Sequence, residues 1–102
     1  MFGPGKATLL EAIRDTGSIA RAGRRMAMSY KRAWTLVEDM NAAFAEPLVL
    51  SVRGGAKGGG AELTLAGTAI LAHYRAVVAA AALAGKAHLD AIEAALAQSD
   101  GE

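Results

Sequence analysis

Cysteine is absent from the 102 residues. That excludes disulfide staples and thiolate metal sites, and it fits a reducing compartment, so the chain is expected in the cytoplasm. Proline occurs twice, at Pro4, where it can open a helix, and at Pro47, where it forbids one from continuing. The start of the chain has no apolar run ending in a cleavable small-residue site. The uncharged stretch Ala76 to Gly85 reads as too short and too alanine-rich to span a bilayer, so no membrane partner is expected. Groupings that could do chemistry are also missing. His73 and His88 are 15 positions apart, more than about 20 Å along one helix, so they cannot share a metal within the chain. Glu38 and Asp39 are adjacent and diverge on a helix, and no nucleophile has a recognisable partner. The chain is expected to be no enzyme and to carry no cofactor.

Hydrophobic residues make up 53% of the chain and charged residues 21%, the composition of a folded single domain. Net charge is only +1, yet it is unevenly distributed. Residues 1 to 60 carry nine bases against five acids, a balance of +4, while residues 61 to 102 carry two bases against five acids, or −3. Such asymmetry suits one half that meets phosphate and another that meets protein or water.

The segment Ser18 to Phe44 holds two amphipathic helical patterns separated by a break at Ala27-Met28. A helix before them carries Leu9, Leu10 and Ile13 on one face and stops at Gly17; Thr8 with Glu11 has capping-box spacing, and Pro4 marks an alternative, earlier start. Ser18 caps the next helix, which runs to about Met26 with Ile19, Ala22, Gly23 and Met26 inward. Ser29 caps the third, which runs to Ala43 or Phe44. In this third helix Tyr30, Ala33, Trp34, Val37, Met40 and Phe44 are assigned to the packed face, with Tyr30 also able to reach out from the first turn. Lys31, Arg32, Thr35 and Asp39 lie opposite. A helix packed on one side and offering a basic, hydrogen-bonding opening turn on the other suits the second helix of a helix-turn-helix entering a DNA major groove. Ser29, Tyr30, Lys31, Arg32 and Thr35 are the expected base-reading set, and Arg21, Arg24 and Arg25 the expected phosphate neutralisers.

Beyond Pro47 the period changes. Leu48 to Arg53 and Ala61 to Leu65 read as two short strands around the glycine-rich Gly54 to Gly60. A hairpin placed directly after a helix-turn-helix is a wing, with Arg53 and Lys57 supplying charge near its tip. The glycines fail the spacing of a nucleotide-binding loop. From Thr64, a plausible cap, one helical pattern runs to about Ala97. Leu71, Val78, Ala82, Gly85, Leu89, Ile92 and Leu96 follow a 4-3 spacing interrupted by Arg75, and Tyr74 belongs to a neighbouring stripe. A helix of about 30 residues spans about 45 Å and overhangs a three-helix core, so a second copy of the chain is the expected cover for these dimerisation residues.

Several of these segments resemble one family. Gly3-Pro4-Gly5-Lys6, Met28-Ser29-Tyr30-Lys31-Arg32-Ala33-Trp34, Met40-Asn41, Leu48-Val49, the Gly54 to Ala61 wing and Leu63-Thr64 are similar to the N-terminal domain of the molybdate-responsive ModE regulators. More distantly, Ser29, Pro47-Leu48 and Leu63 to Gly67 resemble the LysR-type regulators. The likeness covers about residues 3 to 75. It implies a winged helix-turn-helix that dimerises through a long helix and regulates transcription at a near-palindromic operator, with contacts at Ser29, Tyr30, Lys31 and Arg32 and a wing lysine at Lys57. Ala56 interrupts the glycine run and displaces that lysine by one position. Nothing in Ala76 to Glu102 resembles an oxyanion site, so this chain is not expected to bind molybdate.

The sequence thus leads to a mainly α fold with a small β-hairpin, residues 1–65 forming a winged helix-turn-helix and residues 66–102 a dimerisation helix with a short tail. Its expected partners are double-stranded DNA and a second copy. Two other readings stay open: a winged-helix protein-interaction module, and an oxyanion-responsive sensor with a groove near His73, Tyr74 and Arg75.

Overall fold

The computed structural model describes residues 2–52 and 60–97. In chain order it comprises α1 (Pro4–Thr16), α2 (Ile19–Arg25), α3 (Tyr30–Ala43), β1 (Val49–Val52), β2 (Gly60–Leu63) and α4 (Leu65–Ala95). The mainly α architecture with one hairpin and a long last helix is the expected one.

α1 takes the earlier of its two possible starts. Pro4 occupies the first turn, where its missing N–H costs nothing. Thr8 is therefore no cap: its hydroxyl donates to the Pro4 carbonyl at 2.9 Å, and Glu11 turns to α4 instead of closing a capping box. Leu9, Leu10 and Ile13 are fully buried, as their 3.6-residue spacing requires. The helix stops where Gly17 adopts φ 70° and its N–H donates to the Ile13 carbonyl at 2.7 Å.

The next two helices begin as their caps dictate. The Ser18 hydroxyl accepts from the Arg21 N–H at 3.1 Å, and the Ser29 hydroxyl from the Arg32 N–H at 3.0 Å. Between them the turn is tightened by the Met28 N–H donating to the Gly23 carbonyl at 2.9 Å, and Ala27 is forced to φ 57°. Gly23 and Ala33, both buried, let α2 and α3 approach closely.

β1 and β2 pair antiparallel, with Val49 opposite Leu63 and Val52 opposite Gly60. Val49 and Ala61 face the core, while Leu50 and Val52 are exposed. The Ala61 N–H donates to the Gly17 carbonyl at 2.9 Å, tying the hairpin to the end of α1. Asn41 of α3 holds the other strand: its amide donates to the Val49 carbonyl at 3.0 Å, and its oxygen accepts from the N–H groups of Leu48 and Val49 at 2.8 and 3.1 Å.

α4 is capped by Thr64, whose hydroxyl accepts from the Gly67 N–H at 2.9 Å. Its first turns join the core. Gly67 lies so close to the Leu48 carbonyl that a Cβ there would collide with it, and Leu71 is buried. Two residues expected on the dimerisation stripe are thereby taken by their own domain: Leu71 sits in the core, and the Tyr74 ring packs edge-on to Phe2 with centroids 5.2 Å apart. Arg75, the polar interruption of that stripe, is accounted for by Glu11 on α1, bonded at 2.9 Å (Nε to Oε2) and 2.6 Å (Nη2 to Oε1). From Ala76 to Ala95 the helix is exposed apart from a half-buried Gly85, and the molecule is 57 Å long.

One expectation about α4 is corrected. By length and mean hydropathy, 1.4 over its apolar stretch, this helix meets the requirement for crossing a membrane. The uncharged run Ala76 to Gly85 is short, but the helix continues unbroken past it and carries few charges overall.

Two predictions follow from these backbone contacts. Relieving the strained turn by Ala27→Gly should raise stability by about 0.5–1 kcal/mol, whereas Gly67→Ala, which pushes a methyl into the Leu48 carbonyl, should lower it by about 1–3 kcal/mol. Denaturant titration of both variants checks the opposite signs. Asn41→Ala should cost about 2–3 kcal/mol, because it leaves three partly buried backbone groups unpaired, and hydrogen exchange should show the loss concentrated at Leu48 and Val49.

Candidate nucleic-acid interface

α3 is held against the rest of the molecule by Ala33, Val37 and Met40, all buried, with Leu36 and Phe44 partly buried beside them. Taking about 100° per residue, this stripe runs along one side of the helix and places Lys31 and Thr35 nearly opposite it. Ser29, Tyr30, Lys31, Arg32 and Thr35 are all exposed. The sequence-derived reading set is thus brought together on one surface at the opening of α3, where the helix dipole adds positive potential.

The packed face differs from the expected one at two residues, Tyr30 and Trp34. Trp34, assigned to the core, is 44% exposed, and Tyr30, one turn earlier on the same side, is 56% exposed. Leu36 takes the inward position instead. The spacing of Ala33, Leu36, Val37, Met40 and Phe44 (i, i+3, i+4, i+7, i+11) rotates the apolar stripe away from Tyr30 and Trp34, and it is as regular as the one chosen from sequence. Helical spacing, the ground for the expected face, fits both stripes and does not choose between them.

Arg21, Arg24 and Arg25 are exposed on α2, beside the α3 opening. Asp15 lies 3.6 Å from Arg25 and 3.0 Å from Arg14, in contacts half open to solvent that leave most of the cationic character available. On the other flank, Arg32, Lys6, Met26, Met28 and Leu36, with Gly3 and Gly5, border an open cleft of about 320 Å³. Lys6 therefore joins Arg32 at the rim of this cleft, a placement that its position in the sequence does not signal. Arg53 and Lys57 lie outside the described residues. Among the described residues no cluster of three or more His, Cys, Asp or Glu could hold a metal ion.

The exposed apolar side chains of α4 form a separate surface. Val78, Leu89, Ile92 and Leu96 are 45%, 59%, 61% and 65% exposed, and Ala82 is exposed between them. The stripe expected to mediate dimerisation is thus uncovered from Val78 onward.

Comparison with known proteins agrees with this architecture. No family model matches the chain. It is 51% identical over 69 residues to the molybdenum transport protein ModE of Azotobacter vinelandii, a match covering 68% of this chain and 26% of that protein. It is 46% identical over 81 residues to the molybdenum-pterin-binding protein MopB of Rhodobacter capsulatus, covering 79% and 30%. With the DNA-binding transcriptional dual regulator ModE of Escherichia coli it shares 37% over 71 residues, covering 70% and 27%. The chain therefore matches less than a third of the length of these relatives. Among solved structures, the DNA-binding domain of CbnR in complex with DNA superimposes with a TM-score of 0.64 at 23% identity, covering 86% of this chain and 95% of that one. Full-length LysG of Corynebacterium glutamicum with bound arginine gives the same TM-score and identity over 93% of this chain and 30% of that one. Over roughly two thirds of its length the chain is a homologue of the ModE regulators, and it has the winged helix-turn-helix fold, with a long C-terminal helix, of the LysR-type DNA-binding domains.

Proposed function

We propose that this protein is a DNA-binding transcription regulator that reads its site through the opening turns of α3 and acts as a homodimer. The observation that carries the reading is the joint exposure of Ser29, Tyr30, Lys31, Arg32 and Thr35 at the start of a helix whose opposite side is buried. In this reading α3 lies in the major groove. Arg32 and Lys31 offer donors to guanine O6 and N7, and Thr35 reaches a base edge or thymine methyl. Arg21, Arg24 and Arg25 neutralise phosphates, as do Arg53 and Lys57 of the wing segment. Among the described residues no cluster supports a catalytic role, and in this reading the site of action is the cytoplasm. The names of the relatives suggest that the regulated genes concern molybdenum.

The dimer reading rests on α4. Residues 1–65 are the reading unit and residues 66–102 the arm, whose first turns are anchored through Gly67, Leu71, Tyr74 and Arg75 and whose described residues from Ala76 to Ala95 are exposed apart from Gly85. Val78, Ala82, Gly85, Leu89, Ile92 and Leu96 keep to one side of that arm, and the small Ala and Gly positions allow close helix approach. A second copy suits such a narrow stripe better than a bilayer, which would have to receive Lys86 and Asp90 as well. The groove near His73, Tyr74 and Arg75 loses support as an oxyanion sensor, because Arg75 is committed to Glu11 and Tyr74 to Phe2.

The DNA reading is tested by fluorescence anisotropy on labelled duplexes. Affinity for random duplex should fall steeply with salt, and Arg21→Ala with Arg24→Ala should reduce that slope by about two. Arg32→Ala should cost about 1–3 kcal/mol on a selected operator while changing random-sequence binding far less. Equal losses on both would refute base reading by Arg32, and salt-independent binding would favour the protein-interaction alternative. For the dimer, Leu89→Glu with Ile92→Glu should give a monomer by light scattering and fray the arm, since an isolated helix is marginal in water.

A further inference from the structure

We propose that Trp34 is a specificity-determining residue of the DNA interface, in which the indole makes apolar contact with thymine 5-methyl groups on the floor of the major groove. The inference rests on the reading of α3 as the recognition helix and names a residue outside its expected contact set. Trp34 is 44% exposed although the adjoining core accepts Ala33, Leu36, Val37 and Met40 from the same helix. On the helix surface it is three residues from Lys31, four from Tyr30 and one from Thr35, so it continues the exposed reading surface into the second turn. Tyr30, Lys31, Trp34 and Thr35 make up a patch with two aromatic rings on one flank and a cation and a hydroxyl beside them.

The chemistry of that patch favours duplex DNA over other occupants. Its neighbours Lys31 and Arg32 are cationic and exposed, which suits a polyanion. The apolar arm is an unsuitable partner within the chain, since α4 packs principally on α1 and β2, whereas α3 packs on α2 and α1. In the major groove the one apolar group a base edge presents is the thymine 5-methyl, so an exposed indole among hydrogen-bonding side chains has a defined complement there. Trp34 then adds a reading by shape and apolar contact to the polar readings of Lys31, Arg32 and Thr35.

Trp34 is the only tryptophan in the chain, so its emission reports directly on this contact. The experiment uses the full chain and a duplex enriched by selection from a random pool, prepared also with uracil replacing each thymine in turn. Adding the selected duplex should change the tryptophan emission in parallel with anisotropy. At least one uracil substitution should weaken the parent protein several-fold while leaving Trp34→Ala indifferent. Trp34→Ala should bind the selected duplex about tenfold more weakly while losing less thermal stability than the core truncation Met40→Ala. The proposal is overturned if anisotropy reports salt-dependent binding while the emission stays unchanged, or if every uracil duplex binds parent and variant in the same ratio. It is equally overturned if Trp34→Ala unfolds as readily as Met40→Ala. Absence of any binding to duplex would instead overturn the DNA reading on which it rests.

Discussion

The backbone of Pro47, Leu48 and Val49 is gripped from two sides, and the relative placement of α3, the hairpin and α4 depends on that grip. From α3, the Asn41 side chain bonds the Leu48 N–H and both backbone groups of Val49. From the foot of α4, the Thr64 hydroxyl donates to the Pro47 carbonyl at 2.7 Å and the Thr64 N–H to the Leu48 carbonyl at 3.0 Å. Gly67 closes over the same carbonyl. Three elements that would otherwise meet through loose connections are joined at one short strand entry, where Pro47 has already stopped the helical continuation of α3. Partly buried backbone groups are satisfied by a few side chains in fixed geometry, a device whose loss costs more than its formation gains.

The core itself is built from modest side chains. Small residues at the α2–α3 crossing, Ala22, Gly23 and Ala33, let the two helices approach closely enough for a short turn to connect them. Larger residues, Leu9, Leu10, Ile13 and Met40, fill the space beneath. The consequence for function is rigidity at the base of α3. Its exposed opening turns project from a close-packed platform, so the backbone that carries Ser29 to Arg32 is fixed by the buried Ala33, Val37 and Met40 beneath it.

Much of this was legible in the amino-acid sequence because local rules and tertiary packing agree. Ser18, Ser29 and Thr64 cap the helices they were expected to cap, Gly17 ends α1, and the two strand segments pair as a hairpin. The exposure of Lys31, Arg32 and Thr35 at the start of α3 follows from its cap and its period. The failures occur where two choices satisfy the same rule. Both apolar stripes on α3 have helical spacing, and hydrophobicity of the side chain does not say that Leu36 goes inward and Trp34 outward. Likewise Leu71, Tyr74 and Arg75 share the periodicity of the free arm, yet the domain takes them because α1 presents Glu11 and Phe2 is at hand. Thr8 and Glu11 have capping spacing, but Pro4 had already begun the helix. The placement of Leu71, Tyr74 and Arg75 was decided by neighbours distant in sequence, that of Thr8 by Pro4 one turn away.

The forked pairing of Arg75 with Glu11 bears on the direction in which α4 leaves the domain. It lies near the pivot where α4 leaves the platform, and its two parallel bonds resist both tilt and rotation of the arm about that point. Because some twenty residues of helix extend beyond it, about 30 Å, a small angular slip at the pivot is magnified into a large displacement at the far end. A planar fork that tolerates little misalignment thus acts as a protractor, converting a single carboxylate–guanidinium contact near one end of a rod into a constraint on where the far end of that rod points.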